Sequence, residues 1–313
     1  MKIFFNFVRN LFKPKNPRGK NFFPFLGSIL AGSCLYFCLS FIYNLLRPFK
    51  KSLVITLSSA GSEVVPFLKI FGVIPGVFLI TFLYLKLCKT LKRSQVFTVM
   101  LGIFLGYFVL FAFVLYPNKE LFALSGLGKF LRYFLPDGYR GFAAMIEYWH
   151  ASIFYVLCEL WSSAIMFVLF WGFMNETTTL SEASKSYPLY NFFGNLAAIV
   201  SGYLVKGLSF YDAKGLFLDL HLSFLVSESH ICNCFLINIS LCVLIGLFAI
   251  FLFYCVSYLR KIISNNDNIT KIKIKKKEAK EKYTFFQSVS LVLKSRYLFC
   301  LLILVVSYNA IFV

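Results

Sequence analysis

The chain has 313 residues, of which 59% are hydrophobic and 19% aromatic, with a mean hydropathy of +0.76 and a formal net charge of +19. That apolarity excludes an ordinary soluble domain and identifies an integral membrane protein. The charge does not indicate a nucleic-acid binder: most cations flank apolar runs, where anionic lipid headgroups are their neighbours, and no recognition module accompanies them.

Residues 1–21 hold Lys2, Arg9, Lys13, Lys15, Arg18 and Lys20, no acid and no small-residue cleavage site. They predict an uncleaved, basic, cytoplasmic tail. Runs of about 17–25 apolar residues suffice to cross a hydrocarbon core about 30 Å thick as helices. Spans are predicted near Phe25–Leu46, Phe67–Leu87, Val96–Tyr116, Met145–Gly172, Phe192–Lys206 and Cys234–Tyr258, giving a six-helix transmembrane unit over residues 22–260.

Lys86, Lys89, Lys92 and Arg93 follow the second predicted span and Lys271–Lys282 follows the sixth, which places both loops inside. The segment 117–142 is then external, although it carries Lys119, Lys129, Arg132 and Arg140. A basic cytoplasmic linker is expected over 261–294, with the core "KIKIKKKEAKEK", and residues 295–313 read as the truncated start of a seventh span. The predicted fold is all-α: a polytopic membrane bundle forming the first six-helix half of a twelve-helix, major-facilitator-like carrier, plus part of a seventh helix. Function would then require a missing second half or self-assembly.

No Gly-x-x-x-x-Gly-Lys-Ser/Thr loop, Gly-x-Gly-x-x-Gly fingerprint, nucleophile elbow or His-Glu-x-x-His helix occurs, which argues against nucleotide hydrolysis and other enzymatic chemistry. Nine cysteines, mostly within spans, read as small polarizable core residues. His221, His230, Cys232 and Cys234 gather in one predicted external loop, but Cys-x-Cys lacks the usual zinc spacing, so neither a metal nor a cofactor is expected.

The candidate functional residues are the charges inside apolar runs. Glu159 stands in "FYVLCELWSSAIMFVLFWGF", and a carboxylate at mid-membrane costs about 2.5–3.5 kcal/mol, so such a group faces a bundle interior or an aqueous cavity. Lys69, just inside the second span, can snorkel to the headgroups; alternatively it lines a cavity, since Pro66, Gly72, Pro75 and Gly76 interrupt its helix. Arg47, Lys50 and Lys51 follow the first predicted span in "LLRPFKKSL". They suit either a polyphosphate or lipid headgroups.

Four stretches together resemble the ATP/ADP translocases, the nucleotide transporters of plastids and obligate intracellular bacteria. They are "FIYNLLRPFKKSLVITLSSAGSEVVPFLKIFGVIP", "LFAFVLYPNKE", "IFYVLCELWSSAIMFVLFWGFMNETTTLSEASKSYPLYNFFGN" and "SVSLVLKSRYLFCLLILVVSYN". The resemblance implies a nucleotide substrate, with Lys69 and Glu159 in the family's critical positions, Arg47 and Lys50 in its Arg-x-x-Lys signature, and Glu63, Asn175, Glu182 and Asn195 also matching. It implies a bacterial inner membrane as the location. Lys51 departs from the family pattern, which has an acid there, as do Ser162 and Ser163 after Glu159 and the loosened "TLSSAGSE".

The expected activity is ATP/ADP exchange by alternating access without hydrolysis. Proton-coupled or unidirectional nucleotide uptake is the alternative within transport. The rival from another class is a transport-inactive membrane remnant with an interaction role.

Overall fold

The computed structural model describes residues 22–58, 60–210 and 230–266, together with residues 290, 294–296, 299, 300 and 303. The tail at 1–21, His221, nearly all of the basic linker and most of the expected seventh span lie outside the described residues, as do the side chains of His230, Cys232 and Cys234. Contacts divide the chain into residues 1–263 and 264–313. In the second unit, Phe299 N–H donates to the Ser295 carbonyl at 2.9 Å, one turn of helix.

Every element of the first unit is helical, and no strand occurs among the described residues. The long helices are α1 (Phe22–Leu57), α2 (Gly61–Thr90), α3 (Arg93–Leu115), α6 (Trp149–Thr177), α7 (Leu180–Phe210) and α8 (His230–Asn266). Two short helices, α4 (Ser125–Phe134) and α5 (Arg140–Glu147), bridge α3 and α6. Among the described residues, five helices are long and apolar enough to cross a membrane: α1, α2, α3, α6 and α8. The chain is therefore an integral, multi-pass, all-α membrane protein.

The fifth predicted span, Phe192–Lys206, lies within α7 and is helical throughout. The first span differs from expectation. Helix α1 continues through Arg47, Lys50 and Lys51 to Leu57, where a loop was expected, and at 36 residues it is about 54 Å long. Pro48 lies inside it without ending it.

Proline and glycine act on α2 by changing its winding. Pro75 has no N–H to offer the turn before it, and the six residues Leu68–Val73 adopt π-helix, with Ile74 N–H donating to the Lys69 carbonyl five residues back. A similar π turn at Phe111–Leu115 precedes Pro117, and another occupies Ser162–Trp171, starting just after Glu159. The expected interruption around Lys69 is thus a widened helix rather than a break.

The core is aromatic. Phe97 and Phe253 stack with centroids 3.8 Å apart, and Phe111 stacks on Phe154 at 4.5 Å. Trp161, fully buried, donates its indole N–H to the Leu39 carbonyl at 3.1 Å and so fixes α6 against α1. Cys38, Cys158 and Cys242 are buried in this core as free thiols. By contrast, α2 turns Ile70, Phe71, Ile74, Phe78, Leu79 and Phe82 outward, an apolar face suited to hydrocarbon.

Two ion pairs close one end of the bundle. Arg93, at the start of α3, contacts Glu176 near the end of α6 at 3.1 Å and donates to the Tyr84 hydroxyl of α2 at 2.6 Å. Arg260 of α8 contacts Glu182 of α7 at 3.2 Å, and only 4% of the arginine side chain is exposed. Glu182→Ala is expected to lower stability by about 3 kcal/mol, because the buried guanidinium loses its carboxylate. Thermal unfolding in detergent measures this, and an unchanged midpoint would show that Arg260 is satisfied otherwise.

Candidate functional site

The candidate site is built where α1, α2 and α6 meet. Lys50 and Glu159, 109 residues apart in sequence, form a salt bridge between α1 and α6. The lysine is 3% exposed and the glutamate 31%, so one partner is sealed in the bundle and the other reaches towards solvent. The Lys50 ammonium also sits 5.5 Å over the ring of Tyr155, one turn before Glu159 on α6 and itself fully buried. The negative face of that ring gives the cation a second favourable neighbour.

Helical phase explains why Lys50 is buried while Lys51 is exposed. Leu46, Lys50, Leu53 and Val54 lie three or four residues apart and share the buried stripe of α1, and Lys51 lies a further 100° or so round the helix. Arg47, also exposed, flanks the same turn. The charges of Arg47, Lys51 and Lys69 all lie close enough to act on Lys50, and Lys51 acts likewise on Lys69. Lys50 thus contacts one carboxylate, Glu159, while the charges of three further cations from two helices act on it.

Helix α2 brings Lys69 into this group by glycine packing. A Cβ at Gly72 would stand 2.6 Å from a methyl of Val156, and one at Gly76 would stand 3.0 Å from Val156 and Leu160. The Gly-x-x-x-Gly pair so formed lets α2 approach α6 closely, in the way small residues do between membrane helices. Lys69 lies one turn before Gly72, inside the π-helical segment, where it is half-buried.

Of the residues singled out in the sequence, Lys50 and Glu159 are brought into contact, and Arg47 and Lys69 lie close enough for their charges to act on Lys50. The other four lie apart from that contact, Glu182 being the partner of Arg260. Glu63 is exposed in the turn Gly61–Glu63 that opens α2. Asn175 is exposed about 24 Å further along α6 from Glu159, where it accepts a hydrogen bond from the Tyr187 hydroxyl at 2.6 Å. Asn195 is exposed on α7, beside the Gly194 carbonyl that accepts from Ser40 at 3.0 Å. No cluster of histidine, cysteine, aspartate or glutamate able to hold a metal occurs among the described residues.

Sequence reading overlooked Tyr155 and took Gly72 and Gly76 for interruptions of the helix rather than for its packing contact with α6. The glycine spacing was a legible signal, whereas nothing local marks Tyr155 as the residue beneath a lysine more than one hundred positions earlier.

A cluster of charges packed between long apolar helices marks a polytopic membrane protein with a polar site inside its bundle. The sequence profile of the TLC ATP/ADP transporter family matches residues 19–312, and the chain belongs to that family. It is 36% identical over 290 residues to ADP,ATP carrier protein 2 of Chlamydia pneumoniae, a match covering 88% of this chain and 51% of the relative. Its identity to ADP,ATP carrier protein 2 of Chlamydia trachomatis is 34% over 300 residues, covering 92% of this chain and 54% of the relative. ADP,ATP carrier protein 4 of Rickettsia prowazekii is 36% identical over 185 residues, covering 59% of this chain and 36% of that protein. The chain spans about half the length of the curated relatives it matches first. No solved structure matches it.

Proposed function

We propose that this chain supplies the nucleotide-binding first half of an ATP/ADP exchanger that works by alternating access without hydrolysis. The observation that carries the proposal is the Lys50–Glu159 pair with Arg47, Lys51 and Lys69 around it. The names of the relatives, ADP,ATP carrier proteins, support adenine nucleotides as the substrate class.

In the empty site Glu159 compensates the most buried cation. An arriving polyphosphate competes for Lys50 and engages Lys69, Lys51 and Arg47, which offer charge-assisted contacts that strengthen away from water. The loaded site then carries a balanced charge through the occluded state, whereas the empty one exposes surplus cations to a low dielectric. That difference in the cost of moving loaded and empty sites couples entry of one nucleotide to exit of another. Alternation requires a second bundle, from a continuation of the polypeptide or from a second copy. The setting is a bacterial inner membrane, with the chain's N-terminus and the Arg93–Glu176 end on the cytoplasmic side.

The test is uptake of labelled ATP into liposomes loaded with ADP, using the chain alone and with a second half supplied. Lys69→Ala is expected to reduce exchange at least roughly tenfold, the loss of one charge-assisted phosphate contact. Undiminished uptake would refute the site. The exposure of Glu159 favours a second reading, proton-coupled uptake, because a solvent-reachable carboxylate can exchange a proton. Uptake that needs a pH gradient and no internal ADP would select it.

A further inference from the structure

Away from Lys50 and Glu159, α4, α5 and the turn between them border an open pocket of about 510 Å³, lined by residues that include Arg132, Pro136, Tyr139, Arg140, Glu147 and Tyr148. Its volume falls within the range of small-molecule sites, about 300–1,000 Å³. The wall has an ordered charge. Glu147 is buried and meets Arg132 at 2.9 Å, which holds that guanidinium in place and neutralises the Glu147 carboxylate. Gly128 permits this arrangement, since a Cβ there would fall 2.8 Å from the Glu147 carboxylate.

Arg140, exposed at the first turn of α5, brings a second guanidinium to the same pocket. Paired guanidiniums present the planar donor forks that fit phosphate oxygens. Tyr148 adds a hydroxyl donor: burial and then the Glu147 charge push its phenol above the ordinary range, so the proton stays on.

The position of the pocket relates it to the Lys50–Glu159 site. Helix α5 is clamped onto the opening turn of α2, where a Cβ on Gly141 would lie 2.4 Å from the Glu63 carbonyl oxygen. Phe142 packs against Phe71 at 5.3 Å, and Tyr139, from the pocket wall, packs against Phe67 at 5.8 Å. Phe67 is two residues from Lys69, so the pocket adjoins the turn that carries this lysine, at the end of the bundle remote from Arg93 and Glu176.

We propose that the α4–α5 pocket is a second anion site, in which Arg132, Arg140 and Tyr148 bind a phosphate-bearing group beside the turn of α2 that carries Lys69. As a station for nucleotide before it reaches Lys69 and Lys50, the site rests on the carrier reading above; as a phosphate site it does not. A nucleotide and a phospholipid headgroup both present this chemistry. Leu127 and Phe130, exposed on α4, lie near enough in sequence to carry the hairpin at a lipid surface.

The test is equilibrium binding of labelled ATP to the 313-residue chain in discs of neutral phosphatidylcholine and in discs containing anionic phosphatidylglycerol. Two classes of site are expected in neutral discs. Arg140→Gln weakens one of them about tenfold, and Lys69→Ala weakens the other. Arg132→Gln combined with Glu147→Gln, which removes both charges of the buried pair together, reproduces the Arg140→Gln effect. An Arg140-dependent class that survives in anionic discs identifies the nucleotide as ligand; one that disappears there identifies the headgroup. Binding indifferent to Arg140 and to the double replacement overturns the proposal, whereas indifference to Lys69→Ala alone overturns the carrier reading and leaves this site standing.

Discussion

Glu159→Gln is expected to destabilise the chain more than Lys50→Ala, although the two residues form one ion pair. The asymmetry follows from burial. Removing the carboxylate strands an ammonium that is 3% exposed, and an uncompensated charge in such a place costs about 3–5 kcal/mol. Removing the ammonium leaves a carboxylate that is 31% exposed, a situation closer to a surface pair worth about 1 kcal/mol. The double replacement, which removes both charges, should lie nearer to the parent than Glu159→Gln does. Thermal unfolding in detergent ranks the three variants. All three should lose nucleotide exchange in loaded liposomes, the double variant despite its recovered stability. Exchange retained by the double variant would reduce the pair to a structural clasp.

Gly72→Leu is expected to abolish the site by a different route. The added side chain begins 2.6 Å from Val156, so α2 must move away from α6, and Lys69 moves with it. Overpacking of this kind costs about 1–3 kcal/mol. The functional loss should exceed that cost, because the four cations act together only while α2 stays close. The obstructing atom is the end of a side chain rather than backbone, which offers a compensating change: Gly72→Ala should impair exchange and Val156→Ala should restore it in the same chain. Failure of Val156→Ala to rescue would mean that Gly72 is needed for the π-helical winding of Leu68–Val73 instead.

These expectations separate what is local in the chain from what is not. Apolar runs, their flanking cations and the isolated carboxylate at 159 are local properties, and an all-helical, multi-pass membrane protein with charges in its spans follows from them. The charges in and beside those runs put Lys69, Glu159, Arg47 and Lys50 forward, and motif resemblance matched them to a family's critical positions. Lys50 could have been ranked above Lys51 from sequence, since it continues the stripe of Leu46, Leu53 and Val54, but only if the helix is carried through Pro48. A proline beside three cations argues locally for a loop, and burial against α6 overrides that preference.

Tertiary structure alone decided the rest. It paired residue 50 with residue 159, placed Tyr155 beneath the lysine, and turned a proline–glycine interruption into a π-helical segment that keeps α2 continuous. It also set α5 on the opening turn of α2, beside a pocket walled by two arginines. The reason is the same in each case. The membrane's demand for apolar, internally hydrogen-bonded helices is written along the chain, whereas which polar groups meet depends on how closely helices approach, and that is settled by glycines and aromatic side chains far apart in sequence.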